Sequence, residues 1–342
     1  MKKALPHVVL WSALFLLCAV LLSRLTVRPE ESTSPLREYY PVADRIDVVF
    51  FGASQVFCGI SPAELYREYG ISAYDMANGN QYMSTNYFLI REVLRVSDPE
   101  LIVVDISTVN RAPEDGDWSH RQYLATMERS PLWWEAYRQT RVEGESALSY
   151  LFPILRYHDR WPEMRLSSLQ GGAENSERPA GQMLVGSVIP QAETTEYPFV
   201  DDGQMAEVEE RHAYWLEQII ELCAQEGQPL LLTKVPGRAE NWSAQVANTM
   251  AQFTAKKQAT FVDMDRCFEQ TGVDMSTDTL DGSTHLNMYG ARALSHWLGG
   301  YLRENYDLPD RRGQAEYDAV WTPILKEYDE LWKRETENPT GW

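Results

Sequence analysis

The chain has 342 residues, 44% of them hydrophobic, which is enough to bury one good core with insertions but short for two full domains. Its 50 acidic against 31 basic side chains leave a formal net charge of -19, and this excludes nucleic acid, whose phosphates require basic patches. The four cysteines, Cys18, Cys58, Cys223 and Cys267, show neither zinc-site spacing nor the density of a disulfide scaffold, so no structural metal and no essential bridge are expected.

The N-terminus comes first in chain order. Behind Lys2 and Lys3 no charge appears from Ala4 to Ser23, a stretch of the length that crosses a hydrocarbon core as a helix. The basic start favours a cytoplasmic N-terminus, and no small-residue cleavage site follows the apolar run. Residues 1–28 are therefore expected to be an uncleaved signal anchor and transmembrane helix, with the remaining chain outside the cytoplasm. Residues 29–44 mix proline, serine and charge without periodicity, as a linker does.

From Ile46 the chain alternates strands and helices. IDVVFF is a short β-branched run, and Ser61-Pro62-Ala63-Glu64 is a capping box with proline at the first helical position. ISAYDMA predicts a second strand, Ser84 to Val96 a helix, and LIVVDIS at 101–107 a third strand, apolar almost throughout. Residues of about 108–200 break this rhythm and form an insertion, helical in part around Pro131 to Trp161. Trp118, Trp133, Trp134, Tyr137, Tyr150, Phe152, Tyr157 and Trp161 concentrate there, either as a platform for sugar rings or as the core of a small lobe. A helix from Met205 to Gln225, a strand at 229–235, a helix from Trp242 to Ala255, a strand at 260–264 and a helix from Asn287 to Asn305 follow, with a tail at 306–342. Such alternation indicates an α/β fold, a doubly wound parallel sheet with a helical insertion, whose ligands sit at the carboxyl ends of the strands.

Chemistry concentrates at that edge. Gly52-Ala53-Ser54 stands directly after the first strand, and a serine there needs a base to take its proton. Of six histidines, His285 alone lies in the loop between the last strand and the last helix, and Asp281 four residues earlier is placed to orient its ring. Asp278, in the same loop, is the alternative acid. His7, His120, His158, His212 and His296 read as surface or core residues, and no two of them have metal-ligand spacing. No cofactor is expected, because GASQVFCG lacks the second glycine of a dinucleotide-binding turn. Cys58 reads as a packing residue, since nothing near it in sequence would stabilise a thiolate.

With these residues in place the chain resembles the SGNH (GDSL-like) esterase and acyltransferase superfamily over roughly residues 46 to 305. The resemblance is closest to its membrane-anchored branch, which includes the D-alanine-transfer protein of teichoic acid modification and polysaccharide O-acetylation proteins. FFGASQVFCGISP is similar to that branch's first block, YDMANGNQ to its second and DGSTHLNMYGA to its final block. The resemblance implies a flavodoxin-like three-layer catalytic domain over 45–305, with Ser54, His285 and Asp281 as triad. It further implies an oxyanion hole from the backbone of Ser54 with Gly79 or Asn80. The family's final block has Asp three residues before His, where this chain has Gly282. Its third block is absent, with Asn110 the one candidate to replace the missing side-chain donor.

The function expected is extracytoplasmic, serine-dependent acyl transfer to a hydroxyl of a cell-envelope or secreted polysaccharide. A membrane-bound O-acyltransferase is the partner that the resemblance implies. A carbohydrate esterase or deacetylase uses the same triad with water as acceptor. A non-catalytic scaffold that keeps the fold is the reading from a different class.

Overall fold

The computed structural model describes residues 5–26, 34–111, 118–158, 201–208, 210–239 and 242–337. Two compact units emerge, one formed by Met1–Arg37 with Asp115–Pro179 and the other by Glu38–Glu114 with Ala180–Trp342.

The secondary structure of the first unit, among the described residues, is helical. Helix α1 (Leu5–Thr26) presents exposed apolar side chains, Leu10, Trp11, Phe15 and Leu17 among them, and its side chains are described from His7 to Ser23. Among the described residues no helix is long and apolar enough to cross a membrane, so the expected anchor is not established by the fold. After the short α2 (Pro35–Tyr39), which leads into the second unit, the insertion contributes further helices to the first. The sheet unit supplies the elements that come before these in the chain. They are β1 (Val48–Phe51), α3 (Ser54–Gly59), α4 (Pro62–Tyr69), β2 (Ala73–Asp75), α5 (Met83–Val96) and β3 (Leu101–Asp105). The insertion then forms α6 (Trp118–Thr126), α7 (Pro131–Thr140), α8 (Ala147–Leu151) and α9 (Ile154–Tyr157). Trp133 is fully buried at their centre, donates its indole N–H to the Leu124 carbonyl at 2.8 Å and stacks on Tyr137 at 5.4 Å. Tyr150 and Tyr157 are buried with it, so the described aromatics of the insertion, exposed Trp134 and half-buried Phe152 apart, are a lobe core and not a platform. The side chains of Trp118 and Trp161, and residues 159–200, lie outside the described residues.

The second unit holds one five-stranded, all-parallel sheet. It is completed by α10 (Glu210–Glu226), β4 (Leu230–Lys234), α11 (Ala244–Lys256), β5 (Thr260–Asp263), α12 (Phe268–Thr271), α13 (Met288–Asn305) and α14 (Ala315–Glu337). The strand order is β2-β1-β3-β4-β5, with Phe50 opposite both Asp75 and Val103. This is the doubly wound, flavodoxin-like order. Crossovers of the usual right hand, running one way from β1 to β2 and the other way from β2 to β3, put helices on both faces, and the central strands β1 and β3 are buried at every position, whereas the edge strand β5 is not. On one face Val48 and Phe50 pack with Leu65 of α4 and with Leu294, Leu298 and Leu302 of α13. Helices α5 and α10 belong to the other crossovers and meet each other through Phe88 and Trp215, 5.8 Å apart.

Local signals account for several helix starts. Pro62 opens α4 while the Ser61 hydroxyl accepts the Glu64 N–H at 3.3 Å. The reciprocal arm of the capping box is replaced, because the Ser61 N–H donates to the Ser295 hydroxyl of α13 at 2.7 Å. Two stretches are more ordered than their composition suggests. In the linker, Tyr39 is fully buried, 5.0 Å from the Tyr74 ring, with its hydroxyl 2.7 Å from that of Ser97. In the tail, α14 docks on α4, where buried Trp321 stacks on Tyr66 at 4.5 Å and donates to the Ser72 hydroxyl at 2.9 Å. Trp321→Ala is expected to lower stability by about 3–5 kcal/mol through the cavity it leaves, read as a fall in the denaturant midpoint with little change in slope.

Candidate active site

The sheet reverses its winding between β1 and β3, which opens a crevice at the carboxyl ends of these strands. Ser54 stands there, the third residue beyond β1 and the first of α3. Its N–H belongs to the opening turn, which has no intrahelical acceptor. The loop from β5 to α13 brings His285 to the same point. That loop is shaped by a bridge between Thr279 and Leu286 and by Asn287, whose amide donates to the Thr277 carbonyl at 2.8 Å and whose oxygen caps α13 through the N–H groups of Tyr289 and Gly290.

The three side chains meet in series. Ser54 Oγ lies 2.7 Å from His285 Nε2, and His285 Nδ1 lies 2.6 Å from Asp281 Oδ2. Asp281 Oδ1 also accepts the backbone N–H groups of Thr284 and His285, each at 3.0 Å. Partial burial alone would raise the Asp281 carboxyl, but these backbone donors together with the ring outweigh it and hold the group below its ordinary range. An ionised Asp281 accepts only. His285 Nδ1 therefore carries the proton and Nε2 faces the serine hydroxyl as acceptor, the tautomer that deprotonates a nucleophile.

The four-residue spacing from Asp281 to His285 is absorbed at Gly282, whose φ of +89° is open to glycine and difficult for other residues. Asp278 does not touch the ring: it accepts the Asp274 N–H at 2.9 Å and the Thr277 hydroxyl at 2.8 Å, and so stabilises its own turn. Of the two acids, Asp281 is the one beside His285.

The second expected block is less committed to the serine. Its loop abuts the nucleophile turn, since the Asn78 N–H donates to the Gly52 carbonyl at 3.3 Å. The Gly79 N–H, however, donates to Asn78 Oδ1 at 2.8 Å. Exposed Asn80 adopts φ +54° and accepts from Arg111 Nη1 at 2.7 Å. The Gly79 N–H is thus engaged within its own loop in this state. Asn110 is half-buried on the turn after β3, outside the triad.

Buried polar groups of the crevice floor escaped the sequence reading. Asp75 and Asp105 end the strands on either side of β1 and accept the N–H groups of Ala77 and Ser107, while Asp105 also reaches the Val235 N–H at 2.6 Å. Burial raises both carboxyls, Asp75 well above its ordinary range and Asp105 against the pull of Lys234. Fully buried Lys234 pairs with Asp265 at 3.2 Å. The signal for most of these groups was present, since the runs AYD and LIVVD each end in aspartate and LLLTK ends in lysine, but apolar periodicity alone gives such residues no role. Buried Gln55 was overlooked as well.

Cys58 is buried, and burial with the negative charges of Asp75 and Asp281 pushes its thiol up to about 12, which suits packing and not nucleophilic attack. Among the described residues no group of three or more His, Cys, Asp or Glu side chains is placed to hold a metal ion. His296 pairs with Glu68 and His120 is buried beside Tyr123, so neither joins the triad; the side chain of His212 lies outside the described residues. No protein family and no curated protein matches the chain.

Proposed function

We propose that the protein is a serine-dependent acyltransferase of the SGNH type that acts outside the cytoplasm on a hydroxyl of an envelope or secreted polysaccharide. The observation that carries the chemistry is the unbroken series Ser54 Oγ, His285 and Asp281, at 2.7 and 2.6 Å. In the first half-reaction His285 Nε2 takes the proton of Ser54 as Oγ bonds to the acyl carbon of a donor ester. The proton then passes to the departing oxygen, and the acyl-serine remains. In the second half, His285 deprotonates the acceptor hydroxyl as its oxygen bonds to the acyl carbon; the acyl–Oγ bond then breaks and the imidazolium returns the proton to Ser54 Oγ. The Ser54 N–H is suited to the developing oxyanion, and Gly79 would join it on releasing Asn78.

Anchoring by α1 is part of this reading. It is supported by the charge-free run behind two lysines and by apolar side chains exposed around the helix, and it would place the acceptor polymer on the same side as the triad. A membrane-bound O-acyltransferase remains the partner suggested by the resemblance. Hydrolysis is the second reading, favoured by one observation: the His285 and Asp281 side chains keep 26% and 43% of their exposure, which admits water as acceptor.

The chemistry is tested by treating the full-length protein with a fluorophosphonate and locating the adduct by mass spectrometry. Labelling at Ser54 is the expected result, and an unlabelled wild type would overturn the enzyme reading in favour of a scaffold. Turnover of a chromogenic acetyl ester, followed with and without added polysaccharide, separates transfer from hydrolysis by the partition of the acetyl group. For topology, protease added to spheroplasts is expected to digest the domain behind α1, and full protection there would refute the extracytoplasmic site.

A further inference from the structure

Ser54 is followed by Gln55, whose side chain is only 4% exposed although it is polar. Its amide nitrogen donates to two main-chain carbonyls far away in sequence, Arg238 at 2.9 Å and Thr284 at 3.2 Å. Both partners are oxygens, so the amide has one usable orientation. Its own oxygen meets no protein donor among the described residues.

The Thr284 carbonyl belongs to the peptide unit that joins Thr284 to His285. The other end of that unit is the His285 N–H, which donates to Asp281 Oδ1 at 3.0 Å. A peptide unit is planar, and its trans form points carbonyl and N–H in opposite directions, so bonds at both ends fix the orientation of the plane. That plane determines where the Cα–Cβ bond of His285 points, and with it the line from the ring to Ser54. Gln55 thus connects the backbone of the nucleophile directly to the backbone of the base.

The second carbonyl sets this clamp on a rigid support. The Arg238 N–H donates to the Ser283 carbonyl at 2.8 Å, which ties the loop after β4 to the His285 loop. Gly237 fits between them with φ +134°; a Cβ there would lie 2.7 Å from the Thr284 oxygen and 3.2 Å from Gln55 Nε2. From below, Lys234 Nζ donates to the carbonyls of Val235 and Gly237, both at 2.7 Å, while Asp265 accepts the Gly237 N–H at 3.2 Å.

We propose that Gln55 is the positioning residue of the triad, holding the Thr284–His285 peptide so that the imidazole meets Ser54 at bonding distance. The proposal rests on the serine-triad reading for its kinetic consequence and on geometry alone for its structural one. Gln55→Met keeps the volume and removes the donors. A misplacement of the base of about 1 Å costs on the order of 10²-fold in rate, so fluorophosphonate trapping of Ser54 should slow by about that factor while KM for an acetyl ester changes little. Gln55→Glu presents an acceptor to two carbonyls when ionised and regains a donor when protonated. Its activity relative to wild type should therefore rise as pH falls, a dependence that a merely structural role does not produce.

The experiment uses the full-length protein and compares wild type, Gln55→Met and Gln55→Glu by circular dichroism, trapping rate and the downfield proton resonance of His285 Nδ1. Slower trapping with loss of that resonance in folded Gln55→Met supports the proposal. Wild-type trapping and an unchanged resonance in Gln55→Met overturn it and leave the triad standing. If wild type itself is not trapped, the enzyme reading fails separately. In that case the resonance still decides for or against Gln55. Should Gln55→Met not fold, the acid recovery of Gln55→Glu decides, and its absence counts against the proposal.

Discussion

Ser54→Ala is expected to eliminate fluorophosphonate labelling entirely and to lower turnover of an acetyl ester by on the order of 10⁴-fold or more, because the hydroxyl that it removes is the one 2.7 Å from His285 Nε2. Cys58, four residues on, cannot substitute, since its thiol is held protonated at neutral pH. The fold should be untouched. Deleting one oxygen at the crevice leaves α3, the Gln55 amide and the apolar contacts of the sheet in place, and circular dichroism with a melting curve will confirm this. Residual labelling of the variant at another residue would show that the trap reads a different site.

Asp281→Asn comes next in size. An amide at this position can present an N–H to Nδ1 and so stabilise the wrong tautomer, with the proton on Nε2 facing the serine, and it removes the negative charge that offsets the imidazolium in the transition state. Turnover is expected to fall by on the order of 10⁴-fold, with kcat and kcat/KM falling together. Asp278→Asn provides the contrast. That carboxylate serves the turn through Asp274 and Thr277, so its replacement should lower stability slightly and leave kcat within a few-fold of wild type. A collapse of activity in Asp278→Asn, with Asp281→Asn unaffected, would reverse the assignment.

How far these residues were legible depends on the kind of signal each carries. The five strands were legible because a sheet covered on both faces needs short, continuous apolar runs, and VVFF and LIVVD are such runs. Ser54 and His285 were legible by position, since both lie in loops that the alternation sends to one edge. The choice between Asp281 and Asp278 was not. Chain spacing cannot show that Gly282 takes φ +89° or that Asp278 is already engaged by its own turn. Gln55 was hidden for a related reason: its partners are carbonyl groups, which every residue has, so no side-chain pattern announces them. Helix α14 was missed although Tyr317, Trp321, Ile324, Tyr328 and Leu331 recur at helical spacing, because Pro323 and a dense set of charges interrupt the pattern.

The return of the chain end to the start of the sheet has a consequence for how the molecule is made. Asp47 precedes β1, is buried, and is paired through both carboxylate oxygens with Arg311, 264 positions later. Trp321 reaches back in the same way to Ser72, 249 positions earlier. During translation the first strand is therefore present long before the cation that neutralises its entry and the indole that covers the loop to β2. A nascent chain stopped short of Arg311 holds a carboxylate that is costly to bury without its partner, and this disfavours early closure of the sheet. Closure of this unit is therefore expected to be complete only once Arg311 and Trp321 have both been synthesised.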